Sequence, residues 1–589
     1  MPDRLNACKD APPADTLHRI QEILRAHGIR TREQWNESGV PHCHSVRISV
    51  AGTPFGTNGK GVTRELALAS GYGELMERLQ LGYLMKTDTQ KAAPQEDAAQ
   101  MQVMDLNTLL ASGIFEQYAA LAQKATGAEL TAQTIARQYA DARGNVPVTA
   151  YYSIAQGKEV FLPTALARSV YTTNGCAAGN TMEEALVQAI SEITERHYKS
   201  RILAENIPLP DISDETLQRC PIAWEIIQFL REKDFRVSVK DCSLGEKFPV
   251  VCVCLVDRRT GRYHTHFGAF PNFEVALQRT LTEAFQGRDL DKIGQHEDFI
   301  ADVTAPAYLM NELVSGTGEK SPEFFLPVGE SHPACGFAGT DNRTLLGECL
   351  DFFRARGLDI WVRDCSCLGF PTCQVIIPGC SEIFPHRLSP RHSDTRYAPL
   401  ARRVLRSPAT ARPDEWMGLL MHLGQSKAAG LSVGSFLAQA NLAAELTARE
   451  DAFLLNTTLA YVQYALGKTA EAAKAIRNAL ALAPAAEGEY LLCLKRYLEL
   501  RSKKTAPDRV RRLLEYFHRP ETVEKLYRLL EARENPLTPL VLRCDGACPP
   551  TCPLTRVCRK AATDQIAALV SHKQTGLSQT SLHSLIQGL

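Results

Sequence analysis

The sequence has no run of the roughly 18 apolar residues that a membrane helix requires. Its first residues, MPDRLNACKDAPPAD, lack the apolar core of a secretory signal. A cytoplasmic location with no membrane attachment is therefore expected, and with it mostly reduced thiols for the 18 cysteines. Charge of one sign is also missing. Lys+Arg and Asp+Glu stand at 66 each, which excludes a general nucleic-acid binder and leaves no expectation of direct nucleic-acid contact. Nor is the chain poor in apolar residues: 44% hydrophobic against 22% charged excludes wholesale disorder. At about 100–200 residues per domain, 589 residues suggest about three to five domains or fewer large ones.

Up to about residue 385, strand-like and helix-like segments alternate. SVRISV (45–50) and VVCVCLV (250–256) read as strands, and the cysteines in the second as small buried hydrophobes. Residues 64–82, 181–204 and 273–287 carry apolar positions three and four apart, the helical period. This is an α/β or α+β pattern over residues 1–385. The stretch 381–399 is rich in Pro, Ser and charge, which places a linker at 386–405. An all-α region follows over 406–535. Within it, NTTLAYVQYALGKTAEAAKAIRNALALAP (456–484) turns at Gly467 and closes at Pro484. It reads either as one tetratricopeptide unit, which needs stacked neighbours, or as a plain helical hairpin. The tail, 536–589, holds Cys544, Cys548, Cys552 and Cys558 in a turn-rich run. Four thiolates at this spacing suit Zn²⁺ or an iron–sulfur cluster, with a disulfide or plain reduced thiols as alternatives. His42 and His44 beside Cys43, and the run Asp364-Cys365-Ser366-Cys367 with Cys373, read as structural.

The informative motif is internal. TNGKGVTRELALASGYGELMER (57–78) and TNGCAAGNTMEEALVQAISEITER (173–196) both open with Thr-Asn-Gly and both contain an Ala-Leu pair. Six residues after that leucine stands a glutamate, then a second three later, then an arginine: Glu74, Glu77 and Arg78 against Glu192, Glu195 and Arg196. A variant copy, FEVALQRTLTEAFQGR (273–288), keeps Ala276-Leu277 and Glu283 but has Gln286 and Gly287 at the last two places, with Arg279 one turn before Glu283. Residues three apart share one helix face, so each full copy presents two carboxylates on one stripe. Gathering such helices is unfavourable unless cations lie between them. Mg²⁺ suits hard oxygen ligands and is commonly held by one or two carboxylates, water and phosphate. Arg78, Arg196 and Arg279 supply charge for balance or for phosphate. Gly59-Lys60-Gly61 and Ala178-Gly179-Asn180 precede helix starts, where backbone N–H groups favour anions. Lys60 is followed by Gly61 rather than Ser or Thr, so this is no Walker A loop. A metal–nucleotide site outside the P-loop class is expected.

These blocks resemble the YcaO family. GTNGKGVTRELALASGYGELMERLQ and NGCAAGNTMEEALVQAISEITERH look like its two hallmark blocks, FEVALQRTLTEAFQGR like a third, and GFPTCQVIIPGCSEIFP (369–385) like the domain's end. CKDAPPADTLHRIQEIL (8–24) is similar to the start of the long bacterial type, and the helical region is similar in kind. The resemblance implies a YcaO-type core of pseudo-repeated helices over sheets. It implies ATP and Mg²⁺ as cofactors, with Glu74, Glu77, Glu192, Glu195 and Glu283 holding Mg²⁺ and phosphates. Arg196 and Arg279 would contact phosphate, Ala177 and Asn180 would line the nucleotide, and Lys9 and Thr16 would close it from the N-terminus. It names no catalytic residue. Its chemistry is phosphorylation of a peptide amide oxygen after a nucleophile has added to the amide carbon. The end SLHSLIQGL lacks the Pro-x-Pro-x-Pro tail of azoline-forming members, and no fused leader-binding domain is evident, which turns the expectation away from azoline synthesis. The long type is linked instead to β-methylthiolation of a small-subunit ribosomal protein beside a radical methylthiotransferase. The expected partners are therefore a peptide or protein substrate, that transferase and a second copy of the chain, the helical region offering a dimer surface. A scaffold with a vestigial ATP site, or a thioamide- or azoline-forming enzyme, are the competing readings.

Overall fold

The computed structural model describes residues 8–53, 55–82, 102–126, 129, 131–137, 139–140, 144–290, 293, 320–331, 336–383, 404, 411–428, 448–483, 488–531, 569 and 580–588. The four tail cysteines, Cys544, Cys548, Cys552 and Cys558, lie outside the described residues, as does most of 386–405.

Helix α1 (Pro13–Ala26) leads into three strands, β1 (Thr31–Glu37), β2 (His44–Val50) and β3 (Gly56–Gly61), then α2 (Arg64–Gln80). The strands form an antiparallel sheet with β2 central. Alternate residues of β2, namely Val46, Ile48 and Val50, bury against Ile20 and Leu24 of α1 and Tyr72, Leu75, Met76 and Leu79 of α2. A second group runs through β4 (Val103–Asp105), α3 (Leu106–Ala111), α4 (Ile114–Thr126), α5 (Ala132–Arg137), β5 (Asn145–Ser153), β6 (Lys158–Pro163), β7 (Cys176–Ala178) and α6 (Met182–Ala204). A third holds β8 (Asp211–Ile212), α7 (Asp214–Gln218), α8 (Pro221–Glu232), β9 (Phe235–Asp241), β10 (Val250–Asp257), β11 (Tyr263–Ala269), α9 (Phe273–Ala284), β12 (Glu330–Ser331), α10 (Asn342–Arg354), β13 (Trp361–Asp364) and β14 (Thr372–Ile376). One sheet has the order β4-β5-β13-β14-β7 with β6 beside β5; the other runs β11-β10-β9-β8-β12. The apolar run in β10 is explained by its central place: nearly every residue is buried.

Helix α6 is buried along most of its length because it packs on β7, β14, β11 and α10 at once. Four helices that meet at one cavity start alike. The side chains of Thr63, Thr181, Asn272 and Asp341 accept from the N–H three residues on and cap α2, α6, α9 and α10. The strand entering α2 crosses it at glycine on both sides: a Cβ at Gly59 would lie 2.0 Å from the Ala67 carbonyl oxygen and 2.6 Å from the Gly71 nitrogen.

Helices α11 (Pro413–Ala428), α12 (Ala448–Ala465), α13 (Thr469–Leu480), α14 (Gly488–Ser502), α15 (Pro507–Phe517) and α16 (Pro520–Glu531) gather around a core of their own. Gly467, at φ 74°, makes the turn between α12 and α13 that no side chain takes easily. The last helix, α17 (Thr580–Gln587), does not join them. Its Leu582 is buried in the core to which α6 and α10 contribute, and the Gly588 carbonyl accepts from Arg343 at 2.7 Å. Among the described residues no helix is long and apolar enough to cross a membrane.

Candidate functional site

Counting from the capping residue, α2, α6 and α9 share one register. The eleventh residue after each cap is Glu74, Glu192 or Glu283; the fourteenth is Glu77, Glu195 or Gln286. All six line a single cavity of about 550 Å³. Lys9, Thr16, Asn180, Arg196 and Arg279 line it too. Of the eleven residues expected at a nucleotide site, one stands apart. Ala177 is buried in β7 opposite Cys373, and the cavity wall is made by Ala178 and Gly179. The alternation of a strand turns successive side chains to opposite faces, so Ala177 points into the core.

The N-terminal segment reaches the cavity through polar contacts with the start of α6. Lys9 Nζ lies 2.9 Å from Glu184 Oε1, and the Asp10 N–H donates to the other oxygen at 3.1 Å. Thr16 Oγ1 donates to Asn180 Oδ1 at 2.7 Å, and Asn180 Nδ2 donates to Glu184 at 2.9 Å. Burial raises the Glu184 carboxyl, but Lys9 and these donors outweigh it and hold it below the ordinary range. Arg19 donates to the Asn180 and Gly369 carbonyls at 3.1 Å each and lies over the Phe370 ring.

The clustered carboxylates are partly answered by the chain's own cations. Six glutamates line the cavity, and so do six cations: Lys9, Lys60, Arg78, Arg196, Arg279 and Arg288. Arg78 sits 3.5 Å from Glu74 and 3.0 Å from Glu77, and Arg196 sits 2.7 Å from Glu192. Burial pushes Glu77 up to about 8; Arg78 relieves this in part, while Glu192 and Glu74 add to the rise. Burial also pushes Glu195 up to about 7, Glu283 adding to it while Arg196 and Lys199 oppose. Buried Lys199, one turn beyond Glu195, is lowered to about 8 by desolvation. Burial thus favours the protonated form of two carboxylates near neutrality, an environment that an added cation would offset.

The third copy differs for a structural reason. The helical period suggests a helix to residue 287, but α9 ends at Ala284. Gly287 adopts φ 71°, the left-handed stop that follows many helices. Gln286 turns its amide back to donate to the Asn58 carbonyl at 2.6 Å, and the Gly287 N–H donates to Ser45 Oγ at 3.1 Å. Residues outside the glutamate and arginine positions of the motif complete the cavity. Lys60 lies 2.9 Å from Glu283 and half-buried His266 lies 3.8 Å from the same oxygen. Burial raises Glu283, but Lys60 and the His266 contact outweigh it and hold the carboxyl well below the usual range. Arg279 donates to Gln188 and stacks near Phe270. Gln188 and Arg279 occupy the seventh place after their caps, a repeat the Ala-Leu spacing already contained. Asn342 donates to the Cys8 carbonyl at 3.1 Å and to Asp10 at 2.9 Å, from the first turn of α10.

Among the described residues no three His, Cys, Asp or Glu side chains form a ready-made metal cage. Mg²⁺ takes a carboxylate or two and fills its other positions with water and phosphate, so it needs no such cage. His42 pairs with Glu225 at 2.8 Å, and Asp364-Cys365-Ser366 forms the exit of β13, with Cys373 opposite Asp364 on β14.

A family model described as YcaO cyclodehydratase, ATP- and Mg²⁺-binding, matches residues 58–381, which is 324 of 589 residues and more than half the chain. The chain belongs to the YcaO family. The N-terminal segment 8–24 precedes the matched range, yet it meets the cavity that the matched YcaO helices form. A Haemophilus influenzae protein described as uncharacterized is 33% identical over 398 residues, covering 64% of this chain and 66% of that one. The ribosomal protein S12 methylthiotransferase accessory factor YcaO of Escherichia coli is 30% identical over 406 residues, covering 64% and 66%. The match thus spans just under two thirds of either relative's length. Among solved structures, a heterocyclase in complex with substrate and cofactor aligns with TM-score 0.47 and 21% identity over 64% of this chain and 53% of its own. YcaO from Methanopyrus kandleri bound with AMPPCP and Mg²⁺ aligns with TM-score 0.41 and 18% identity over 64% and 93%. At those levels neither transfers a residue role.

Proposed function

We propose that this YcaO protein binds ATP with Mg²⁺ in the glutamate-lined cavity and uses it to activate a peptide backbone amide. The reading extends to service as an accessory factor in β-methylthiolation of a small-subunit ribosomal protein. The carrying observation is the convergence of Glu74, Glu77, Glu192, Glu195 and Glu283 from three equivalently capped helices on one cavity, in a family described as ATP- and Mg²⁺-binding. The name of the Escherichia coli relative supports the ribosomal part.

The five carboxylates would hold Mg²⁺ singly or in pairs, Arg196 and Arg279 would meet phosphate oxygens, and Lys9, Thr16 and Asn180 would border the nucleoside end. ATP supplies the phosphoryl group. Once a nucleophile has added to the amide carbon, the amide oxygen takes that group from ATP and releases ADP. Phosphate then departs with the C–O electron pair. The protein's work in such a transfer is positioning and charge neutralisation. The helical region after Pro413 is the proposed docking face for a methylthiotransferase or a second copy, with α12 and α13 as a tetratricopeptide-like unit.

Calorimetry of Mg-ATP binding tests the site. Glu195→Ala is expected to weaken binding roughly tenfold or more, the scale of one charge-assisted contact. Equal binding by both proteins would remove the assignment. Mass spectrometry of ribosomal proteins from a deletion strain tests the biology: the methylthio increment on a small-subunit protein should disappear, and its persistence would leave only the ATP site standing.

A further inference from the structure

In two of the glutamate helices, the carboxylate at the eleventh place is held by an arginine one turn later: Arg78 for Glu74 and Arg196 for Glu192. Helix α9 has Gly287 there, so Glu283 has no cation from its own helix at that place. Lys60 stands in its place, with Nζ 2.9 Å from Glu283 Oε1. It comes from a different unit, across 223 residues of sequence, from the end of β3 just before α2. Its backbone is fixed on both sides, because a Cβ at Gly59 would strike the Ala67 carbonyl and one at Gly61 would lie 2.6 Å from the Ala67 nitrogen. Only the side chain is free to choose a partner, and it lines the cavity.

We propose that Lys60 is a phosphate-binding residue of the loaded site, held in reserve on Glu283 while the cavity is empty. The proposal rests on the reading of the cavity as a Mg-nucleotide site. A divalent cation on the Glu283 carboxylate competes with the Lys60 ammonium group for its oxygens, because two positive charges drawn to one carboxylate repel each other. Metal arrival on Glu283 therefore displaces Lys60. Arg78 and Arg196 are tethered one turn from their carboxylates, whereas Lys60 is a compact point charge on a long stem. It is anchored three residues before the cap of α2, so its swing keeps it beside that helix N-terminus, where the backbone favours anions. The anion that arrives with the metal is the nucleotide's phosphate chain. The exchange also keeps the charge even: the cation that leaves Glu283 is the one the phosphate gains.

The competition gives two opposite expectations for Lys60→Met, measured by calorimetry on the full chain. Affinity for Mg²⁺ alone should rise, because Glu283 has lost its ammonium partner. Affinity for Mg-ATP should fall roughly tenfold or more, the scale of one charged hydrogen bond. Lys60→Arg should recover most of the Mg-ATP affinity. A merely structural tie between β3 and α9 would instead weaken both ligands together, and that result, or unchanged Mg-ATP binding, overturns the proposal. If the unaltered protein bound no Mg-ATP, the functional reading would fail first and take this one with it. If it bound Mg-ATP and Lys60→Met did so equally, only Lys60's role would fall.

Discussion

Helices α2 and α6 run on past the fifteenth residue after their caps, to Gln80 and Ala204; α9 stops at Ala284, twelve residues after its cap. The three share a cap, an Ala-Leu pair and a first glutamate. They differ in where the helix ends, and that decides what the last motif positions do. In α2 and α6, Glu77, Glu195 and the arginines after them stay on the helical stripe that faces the cavity. In α9 the chain has already turned, so Gln286 reaches back to β3 and ties the third unit to the first. A pseudo-repeat can therefore keep a geometry while exchanging a ligand for a joint.

The sharpest way to break the comparison is at the strand–helix crossings. Gly59 and Gly268 both lie four residues before a cap, and both face the eighth residue after it, Gly71 and Thr280. The obstacles differ. A Cβ at Gly59 meets backbone, the Ala67 oxygen at 2.0 Å and the Gly71 nitrogen at 2.6 Å, whereas a Cβ at Gly268 meets the Thr280 hydroxyl at 2.0 Å. Gly59→Ala should cost about 3 kcal/mol or more, or prevent folding, because backbone cannot yield. Gly268→Ala should cost about 1–3 kcal/mol, and adding Thr280→Ala should recover most of it. Thermal denaturation of the three variants separates them. No rescue in the double variant would mean that the third crossing is as rigid as the first.

A smaller effect comes from protons. Glu77 and Glu195 are raised to about 8 and about 7 from an ordinary 4.5, while Glu283 is held below that value. A folded acid with a raised pKa keeps a proton that the unfolded chain has lost. The stability this gives the folded state, relative to high pH, is present at low pH and is lost as pH rises from about 4.5 through 7 and 8. Glu283 has the opposite sign: its contribution is present above 4.5 and lost on acidification. Cation binding needs the carboxylates ionised, so Mg-ATP affinity should rise between pH 6 and 8, by up to about tenfold per unit for each group still protonated. Calorimetry in buffers of different ionisation enthalpy should record proton release near pH 7. Glu77→Gln or Glu195→Gln should flatten the profile and Glu283→Gln should not. Flat binding by the unaltered protein across that range would contradict the burial argument.

Much of this site was legible because its spacing is carried within single helices. Glu74, Glu77, Glu192, Glu195 and Glu283 follow from one count along a period of 3.6. Lys9 and Thr16 came from family resemblance alone, since nothing local says that an N-terminal segment meets the start of α6; Asn180 was also marked by its place before a helix start. Lys60 was marked only as part of a glycine-flanked helix start; its pairing with Glu283, and the places of His266 and Glu184, were missed because they depend on elements brought together from far apart in sequence. The fourth capped helix, α10, was missed for a different reason. It repeats the glycine and cap of α6 through Gly339 and Asp341, but has Leu345-Leu346 in place of Ala-Leu and Phe352 and Ala355 where glutamates would stand. Ala177 shows the limit of carrying a motif by position: the strand's alternation decides which neighbour meets the cavity.

The smallest effects decide whether the third copy is a degraded version of the others or a joint. Gly287 has open space around its missing Cβ, so Gly287→Arg should cost only the strain of a left-handed backbone, about 1 kcal/mol. Gln286→Glu restores the sequence pattern of α2 and α6, yet it should be harmful. A carboxylate cannot donate to the Asn58 carbonyl, and the two acceptors would then face each other, a loss of about 1–2 kcal/mol. No gain in Mg²⁺ affinity should accompany it. The reverse change in a full copy, Glu195→Gln, should weaken Mg-ATP binding while leaving the ligand-free fold intact or steadier above pH 7, because a buried charge has been removed. Opposite signs at equivalent positions would establish that Gln286 is a joint. Tighter Mg²⁺ binding by Gln286→Glu, measured by titration with the metal alone, would show instead that the amide occupies a place where a ligand still fits.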